Sequence, residues 1–351
     1  MSSVLILATS PNTRGGITSV LKAHQQGEQW KKYHCRWITT HIDKSKLAKF
    51  AVFLRGIAEY SFYLQKADLV HIHVSEPNSA IRKLVFFRMA KRKKKQIVVH
   101  FHSFSPDTTI NGPQANLYQE LFCGADAVVV LSNYWKEVVD AKFHLGDKIR
   151  VLYNPCTVTN YPEQYEKTNS VLYAGALNQR KGYADLIKAF APVAAKHSDW
   201  KIVFAGNGEL EQARLLSEEL DIAKQVKLLG WVSGKDKDRA YKEAKAFCLP
   251  SYAEGFPMAV LDAWAYGLPV ITTPVGGIPD IAEDGKNLLL FNSGDIKILS
   301  ECLERIISDE ALRRNLAKES ELLANTTFNI DTINNQLGEL YAELLGKKDN
   351  I

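Results

Sequence analysis

The stretch that decides the fold runs from Lys245 to Ile281 and reads KAFCLPSYAEGFPMAVLDAWAYGLPVITTPVGGIPDI. An apolar run, Ala246–Leu249, ends in the loop Pro250–Pro257, and a helical pattern then continues as far as Gly267. A second apolar run, Val270–Thr272, begins soon after this helix. A strand, a helix and a second strand in this order predict a parallel βαβ unit.

The same alternation extends along the chain in two series separated by a polar segment with two prolines, Asn154–Asn169. The first series has predicted strands at Val4–Ala8, Leu69–His73, Ile97–His102, Ala127–Leu131 and Ile149–Tyr153. The second has predicted strands at Val171–Ala174, Lys201–Ala205, Val226–Leu229, Ala246–Leu249, Val270–Thr272 and Leu288–Phe291. The sequence therefore predicts an α/β fold with two Rossmann-like, doubly wound parallel-sheet domains, residues 1–160 and 166–328, whose ligand-binding edges face each other across a cleft.

Length and composition are those of a two-domain globular protein, with 351 residues of which 46% are hydrophobic and 24% charged. This composition excludes collagen-like, disordered and disulfide-scaffold proteins. No apolar run approaches the ~18 residues of a membrane-spanning helix, and the first residues lack the basic region of a signal peptide. The cysteines are scattered and form no Cys-x-x-Cys pair. They favour reduced thiols and a cytoplasmic protein.

Charge is distributed unevenly between the two halves. Residues 1–165 contain 22 Lys and Arg against 12 Asp and Glu, a net charge of +10, whereas residues 166–351 contain 22 against 27, a net charge of −5. The basic half includes an amphipathic segment, Lys44–Gln65, and the cluster Lys91–Lys95. We predict no nucleic-acid partner, because no groove-reading motif accompanies these residues. An anionic membrane surface is the favoured partner, since each nearby Lys or Arg adds about 1 kcal/mol; a solvated lysine-rich loop is the alternative.

Three places combine glycine or basic residues with the start of a predicted helix. They are Gly15–Gly16, Arg180–Lys181 and Gly255–Pro257. Glycines allow backbone N–H groups to approach a ligand closely, and a helix start carries a partial positive charge. Adjacent basic residues at a helix start oppose the helix dipole unless an anion binds there. The pattern indicates phosphate binding, with tight turns and a solvated basic pair as the alternatives.

Two carboxylates accompany the third helix start. Glu254 precedes the predicted helix, and Asp262 lies inside it, eight positions later. Such a pair is badly placed for general acid and base catalysis, but it suits hydrogen bonding to two separate sets of hydroxyls. Helix capping by Glu254 is the alternative interpretation.

In this order, these residues resemble the retaining glycosyltransferases of family 4, which have the GT-B fold. The resemblance covers essentially the whole chain and is strongest over GALNQRKGYADLIKAF, residues 175–190, and SYAEGFPMAVLDAWAYGLPVITTPVGGIPDI, residues 251–281. It implies a nucleotide-sugar donor, usually a UDP-sugar, held mainly by the C-terminal domain. It also implies that residues 329–351 form a helix that returns to the N-terminal, acceptor-binding domain.

By this resemblance, Arg180 and Lys181 bind the donor diphosphate, and Glu254 holds the transferred sugar. The backbone of Gly255, Phe256 and Pro257 assists at the sugar and phosphate. Preorganised cations and helix-start amides stabilise the negative charge that grows on a diphosphate leaving group. The mechanism implied is attack on the same face of the sugar, without a protein nucleophile.

The resemblance assigns further residues to the nucleotide. Asp262 accepts hydrogen bonds from the ribose hydroxyls, and Gly206 and Gly230 lie near the nucleotide. The loop at Gly15 and Gly16 closes on the diphosphate from the other domain. The implied acceptor is a saccharide or a lipid-linked saccharide, as in similar enzymes that build bacterial surface polysaccharides.

The sequence departs from the family pattern at two positions. Ala176 stands where many members have arginine, and Asp262 stands in place of the usual glutamate. These departures motivate a second hypothesis, a nucleotide-sugar-binding partner with weak or no transfer activity. A third hypothesis is a nucleotide-sugar epimerase or hydrolase with the same fold, which would need an added carboxylate base that the sequence does not show.

Four histidines occur as two i, i+2 pairs on predicted strands: His71, His73, His100 and His102. Each pair shares a face, so zinc binding is one interpretation. The resemblance instead implies that His102 orients a hydroxyl of the donor sugar, and packing or acceptor contact is expected of the others. Asp236 and Asp238 have a metal-like spacing, but we interpret their segment as a solvated surface turn. We therefore predict no metal and no other cofactor.

Overall fold

A computed structural model of the chain describes residues 2–157 and 166–346. The chain divides into two compact units, Met1–Pro155 together with Ile330–Ile351, and Cys156–Asn329. The first boundary thus precedes the predicted end of the first domain at residue 160. The centre of the predicted linker, residues 158–165, lies outside the described residues.

The described part of the first unit is built on a parallel sheet. Its strands are β1 (Val4–Thr9), β2 (Arg36–His41), β3 (Leu69–Val74), β4 (Gln96–Phe101), β5 (Ala127–Val130) and β6 (Ile149–Val151). Its helices are α1 (Gly16–His24), α2 (Glu28–Lys32), α3 (Lys46–Leu64), α4 (Pro77–Arg92), α5 (Ala115–Gly124), α6 (Asn133–Phe143) and, near the end of the chain, α13 (Ile330–Gly346). The strand order is β2-β1-β3-β4-β5-β6.

Alternating side chains of the first sheet supply two separate cores. Leu5 and Leu7 of β1 pack in one core with residues of α3, α4, α5 and α6. Val4 and Ile6 point to the other face and pack with residues of α1 and α13. Such alternation follows from the two-residue period of a strand. The terminal helix α13 therefore packs on the first unit.

The second unit repeats this architecture. Its strands are β7 (Ser170–Ala174), β8 (Lys201–Ala205), β9 (Val226–Gly230), β10 (Ala246–Leu249), β11 (Val270–Thr272) and β12 (Leu289–Leu290). Its helices are α7 (Tyr183–Ala194), α8 (Leu210–Glu219), α9 (Lys235–Glu243), α10 (Met258–Ala265), α11 (Ile296–Ser308) and α12 (Glu310–Asn325). The strand order is β12-β11-β10-β7-β8-β9, again parallel. The prediction of two doubly wound parallel sheets is confirmed.

Each sheet has a point at which the strand order reverses. In the first sheet, β1 connects towards β2 and β3 connects towards β4, so the reversal lies between β1 and β3. In the second sheet it lies between β7 and β10. Ligands of doubly wound sheets bind at such points, beyond the carboxyl ends of the strands. The loops after these four strands are therefore where a site is expected.

The structure corrects two details of the sequence analysis. The edge strand β2, whose side chains alternate in burial, was not predicted from the sequence. Asp236 and Asp238 belong to α9 rather than to a loop, and Asp238 is only 2% exposed. Among the described helices, none is both long and apolar enough to cross a membrane.

Candidate functional site

The loops after β7 and β10 contact each other at the reversal point of the second sheet. The Arg180 guanidinium donates from Nη1 to the carbonyl oxygen of Ala253 at 2.6 Å. In return, the backbone N–H of Tyr252 donates to the carbonyl of Arg180 at 2.8 Å. These reciprocal bonds bring the two loops into one structure, although they are about 70 residues apart in sequence.

A carboxylate with two hydrogen-bond donors and a second cation beside it lies at this junction. Lys181 Nζ donates to Glu254 Oε1 at 2.5 Å, and the hydroxyl of Ser251 donates to the same oxygen at 2.8 Å. Arg180 Nη1 is 3.4 Å from this oxygen. Glu254 is 8% exposed, so its charge is compensated inside the protein. An incoming anion can exchange with Glu254 for the two cations, and a hydroxyl can then donate to Glu254.

The sequence brought Arg180, Lys181 and Glu254 together as candidates, and the structure places them in contact. It did not identify Ser251, whose hydroxyl also bonds Glu254. The sequence carried no signal for it, because a serine and a glutamate three residues apart in a loop can point in any direction. Only the fold of the loop shows that the two side chains converge.

The start of α10 completes this edge of the sheet. Pro257 occupies the N-cap, and no side chain caps the helix. The loop before it is held by the N–H of Gly277, which donates to the carbonyl of Gly255 at 2.9 Å. The Phe256 ring is buried against Phe328, so the part of Phe256 at the site is its backbone. A helix start without a side-chain cap attracts an anion.

Asp262 has a partner that the sequence analysis did not foresee. Lys237 Nζ, from α9, donates to Asp262 Oδ2 at 2.6 Å. The prediction that this segment is a solvated turn is wrong, because its lysine pairs with Asp262. Asp238 is also engaged: it accepts a hydrogen bond from the Tyr266 hydroxyl at 2.8 Å. One carboxylate oxygen of Asp262 is therefore already bonded to Lys237.

Gly206 and Gly230 lie at the ends of β8 and β9. A Cβ on Gly206 would fall 1.7 Å from the carbonyl oxygen of Gly175, so glycine is required for the loops after β7 and β8 to meet. Gly230 has φ +66°, and a Cβ there would be 3.6 Å from Oδ1 of Asn207. The structure places both glycines at the same sheet edge as the Arg180–Lys181 loop.

We expect Gly182→Ala to disrupt the junction between the two loops. Gly182 has φ +66°, and an added Cβ would lie 2.0 Å from the carbonyl oxygen of Pro250. Gly285→Ala is the matched control, because Gly285 has φ +75° and an added Cβ there would meet only the end of the Arg305 side chain, at 4.0 Å. Both variants place alanine at a positive φ, at a cost of about 1–2 kcal/mol, so thermal unfolding should show a larger loss for Gly182→Ala. Equal losses would contradict the packing described.

In the first unit, the predicted glycines begin a helix at the reversal point. Gly15 is the N-cap of α1 with φ +141°, and Gly16 is the first helical residue. No side chain caps this helix. The arrangement suits an anion in the same way as the start of α10 does.

His102 lies one residue beyond β4, at the same edge. The backbone N–H of His102 donates to the carbonyl oxygen of Val74 at 2.7 Å. Its ring nitrogen Nε2 is 2.9 Å from Nδ1 of His73. Burial, with the nearby His24 and Lys83, lowers the pKa of His102 to about 3. The imidazole is therefore neutral at physiological pH and suited to hydrogen bonding with a hydroxyl.

The other three strand histidines pack inside the first unit. His71, His73 and His100 are each at most 1% exposed, and their ring nitrogens lie within 4.8 Å of one another. The His71 and His100 rings are stacked at an interplanar angle of 14°. Stacked rings direct their in-plane lone pairs side by side, whereas zinc needs lone pairs that converge at about 2.0–2.1 Å. This geometry favours packing.

Glu76 joins the loops after β3 and β4. It accepts hydrogen bonds from Ser103 Oγ at 2.9 Å and from Thr108 Oγ1 at 2.5 Å. Ser103 and Thr108 were not candidates from the sequence. Their contact fixes the loop that carries His102.

Family models match the two units separately. Residues 16–159 match the model described as Glycosyltransferase Family 4. Residues 160–322 match the model described as Glycosyl transferases group 1. The two matches adjoin and together extend from residue 16 to residue 322.

Several curated proteins are similar to part of the chain. An uncharacterized glycosyltransferase of Haemophilus influenzae is 28% identical over 202 residues, 57% of this chain and 56% of that protein. The capsular polysaccharide biosynthesis glycosyltransferase CapM of Staphylococcus aureus is 25% identical over 65% of this chain and 64% of its own length. An α-1,4-N-acetyl-D-galactosaminyltransferase of Campylobacter jejuni is 27% identical over 64% of this chain and 61% of its own length. Its full name includes a saccharide linked to diNAcBac-PP-undecaprenol. The chain thus spans just over half to under two thirds of these relatives.

Solved structures match nearly the whole chain. HepE of Anabaena, in complex with UDP, has a TM-score of 0.75 at 18% identity, over 97% of this chain and 100% of that chain. Sucrose-phosphate synthase of Thermosynechococcus elongatus has a TM-score of 0.80 at 20% identity, over 99% and 100%. These matches confirm the GT-B fold predicted from the sequence.

Proposed function

This chain belongs to family 4 of the glycosyltransferases, and from that premise we propose that it transfers a sugar from a UDP-sugar to a saccharide or lipid-linked acceptor. The observation that carries the proposal is the cluster of Arg180, Lys181 and Glu254 at the reversal point of the second sheet. The UDP complex of HepE, a protein of the same fold, supports the choice of UDP.

The donor diphosphate would take the place of Glu254 as the partner of the two cations. Arg180 can bind phosphate through two N–H groups, and Lys181 adds a point charge. The start of α10, between Gly255 and Met258, adds backbone amides on the same side of the sheet. Glu254, released from Lys181, would accept a hydrogen bond from a hydroxyl of the transferred sugar.

The nucleoside would lie towards β8 and β9, near Gly206 and Gly230. Asp262 would bind the ribose hydroxyls and would keep its ion pair with Lys237. This arrangement offsets the shorter side chain of Asp262, because the ion pair holds the carboxylate in a fixed position.

Transfer would proceed with retention, by attack of the acceptor on the same face of the sugar. The leaving phosphate would take the acceptor's proton, while Arg180, Lys181 and the helix-start amides stabilise its charge. In the first unit, neutral His102 is suited to orienting a sugar hydroxyl, and the amides at Gly15 and Gly16 are suited to binding an anion. Arg180, Lys181 and the helix-start amides supply the positive charge, so we propose that no metal is required.

For the acceptor, we propose a saccharide carried on a lipid diphosphate, used in cell-surface polysaccharide synthesis. The names of two relatives support this choice: one is a capsular polysaccharide enzyme and the other names a PP-undecaprenol saccharide. We place the enzyme at the cytoplasmic face of the membrane, as a peripheral protein. The basic half of the chain supports that placement.

One face of α3 carries exposed apolar side chains in a row. The row consists of Leu47, Phe50, Leu54 and Phe62, at helical spacing, and Leu47 is 83% exposed. The neighbouring helix α4 also has exposed apolar side chains, Ile81 and Val85. Lysines lie beside the row, at the start of α3 and after α4. An apolar row bordered by lysines is typical of a helix that lies on an anionic bilayer.

We expect Phe50→Asp combined with Leu54→Asp to reduce sedimentation with phosphatidylglycerol vesicles by at least tenfold. Two carboxylates would oppose both insertion and attraction to the anionic lipid. Leu215→Asp combined with Leu322→Asp is the matched control, since both leucines are exposed in the second unit. Equal loss in both double variants, or none in either, would contradict this surface as the membrane contact.

Radiolabelled UDP-sugars, offered with lipid-linked oligosaccharides and excess EDTA, test the function. A labelled lipid product would support a metal-independent transferase. The same anomeric configuration in its new glycosidic bond as in the donor would show that the transferase is retaining. Free sugar released at the same rate without acceptor would support a hydrolase instead. Binding of UDP without turnover of any sugar would support the hypothesis of a non-catalytic binding partner.

A further inference from the structure

Two adjacent basic residues of the first unit lack acidic partners in the part of the chain that the structure describes. Lys83 of α4 is fully buried, at 0% exposure, and its Nζ donates only to Ser79 Oγ, at 3.1 Å, among the described residues. Arg82 is half-buried, and its Nε is enclosed without a hydrogen-bond partner. Neither forms an ion pair with any described carboxylate, although Asp43 acts on Arg82 at longer range.

Such an arrangement is costly for the protein alone. A buried ammonium without a counter-charge loses its hydration and gains little in return. Burial, with Arg82 next to it, lowers the pKa of Lys83 to about 7. The carboxylate of Glu76, the N-cap residue of α4, is engaged by Ser103 and Thr108. An anion from outside the protein would neutralise the charges of Arg82 and Lys83.

The position of these cations points to the acceptor. The helix α4 begins at Pro77, directly after the loop that follows β3, so its first turns lie beside the reversal point of the first sheet. His102 is close enough to Lys83 for the lysine charge to lower its pKa. Anions and polar ligands of this sheet are expected at that edge.

Apolar surface adjoins the cations on the same helix. Ile81 and Val85 are exposed, and they lie one residue before Arg82 and three residues after it. Residues three or four apart are neighbours on a helix surface. A guanidinium beside an exposed apolar row fits a ligand with an anionic head and an apolar chain.

We propose that Arg82, assisted by the charge of the buried Lys83, binds the diphosphate that joins the acceptor saccharide to its lipid. Arg82 presents a planar fork to the phosphate oxygens. Lys83 adds positive charge from within, and the start of α4 adds its partial charge. The lipid chain leaves over Ile81 and Val85 towards the apolar row of α3. The assignment rests on the proposed function, because it gives that transferase its acceptor class.

Calorimetric titration with farnesyl diphosphate, in saturating UDP, tests the assignment. UDP occupies the donor site, so the probe reports only a second diphosphate site. We expect Arg82→Gln to weaken binding at least tenfold and Lys83→Met to weaken it severalfold. Arg88→Gln is the matched control, because Arg88 lies on the same helix, is exposed and pairs with Glu120. It should bind as the wild type does.

Each remaining outcome decides a separate point. UDP could abolish the binding of farnesyl diphosphate, or the binding could be lost only in Lys181→Met. Either result would assign the probe to the donor site and overturn the proposal. Inorganic pyrophosphate that binds as tightly as farnesyl diphosphate would overturn the lipid part of it. Unchanged affinity in Arg82→Gln would overturn it entirely. Failure of the wild type to bind UDP would instead contradict the proposed function.

Discussion

Replacing Lys181 by Met should lower kcat/KM for sugar transfer by about 10²–10³-fold, the usual cost of removing one preorganised group that stabilises a leaving charge. Most of the loss should appear in kcat, because the negative charge on the diphosphate grows as the glycosidic bond breaks. The fold should survive, since Glu254 keeps the Ser251 hydroxyl and has Arg180 at 3.4 Å. Steady-state kinetics with a saturating acceptor give the measurement.

Lys196→Met is the matched control for this variant. Lys196 belongs to the same unit, is exposed and pairs with Glu304 at 3.2 Å. The Lys196→Met variant therefore loses an ion pair without a change at the site. Its kinetics should be those of the wild type. A kcat/KM for Lys181→Met within threefold of the wild type would contradict the role of this lysine.

Lys83→Met should stabilise the protein although it weakens acceptor binding. The pKa of Lys83 falls from its usual 10.5 to about 7, because the buried ammonium is poorly solvated and lies next to Arg82. At about 1.4 kcal/mol per pKa unit, the charged form costs several kcal/mol of unfolding free energy. Met fills a similar volume without charge, so urea unfolding should show a gain of several kcal/mol at pH 6.

The pH dependence of this gain has a fixed sign. Between pH 7 and 10.5 the unfolded chain holds a proton on Lys83 that the folded protein has lost, so wild-type stability from this group rises with pH. The advantage of Lys83→Met should be greatest below pH 7 and absent above about pH 10.5. Lys91→Met, at an exposed site on the same helix, should show no such dependence. A destabilised Lys83→Met at pH 6 would contradict the unpaired state of this amine.

The contact of Arg180, Lys181 and Glu254 could be predicted from the sequence because these residues lie in two continuous segments. A strand, a loop and a helix start follow one another in each, and the fold brings the carboxyl ends of β7 and β10 together. Arg180, Lys181 and Glu254 could therefore be predicted as neighbours from their places after the two strands.

Contacts that depend on packing could not be predicted in this way. Lys237 reaches Asp262 across 25 residues, from a helix so polar that its pattern resembled a surface turn. In the edge strand β2, Ile38 and Thr40 are fully buried but Arg36 is exposed. This mixture of polar and apolar residues does not form the apolar run by which the other strands were predicted. Lys83 occurs in a helix with many basic residues, and only the packing of α4 shows that this one is buried.

Calorimetric titration of UDP into the purified protein, with EDTA present, tests the central claim most directly. The claim is that the loops after β7 and β10 form a metal-independent nucleotide-sugar site. We expect UDP to bind the wild type and Lys196→Met equally, and Lys181→Met at least tenfold more weakly. UDP binding of equal strength in Lys181→Met, or none in the wild type, would contradict the claim.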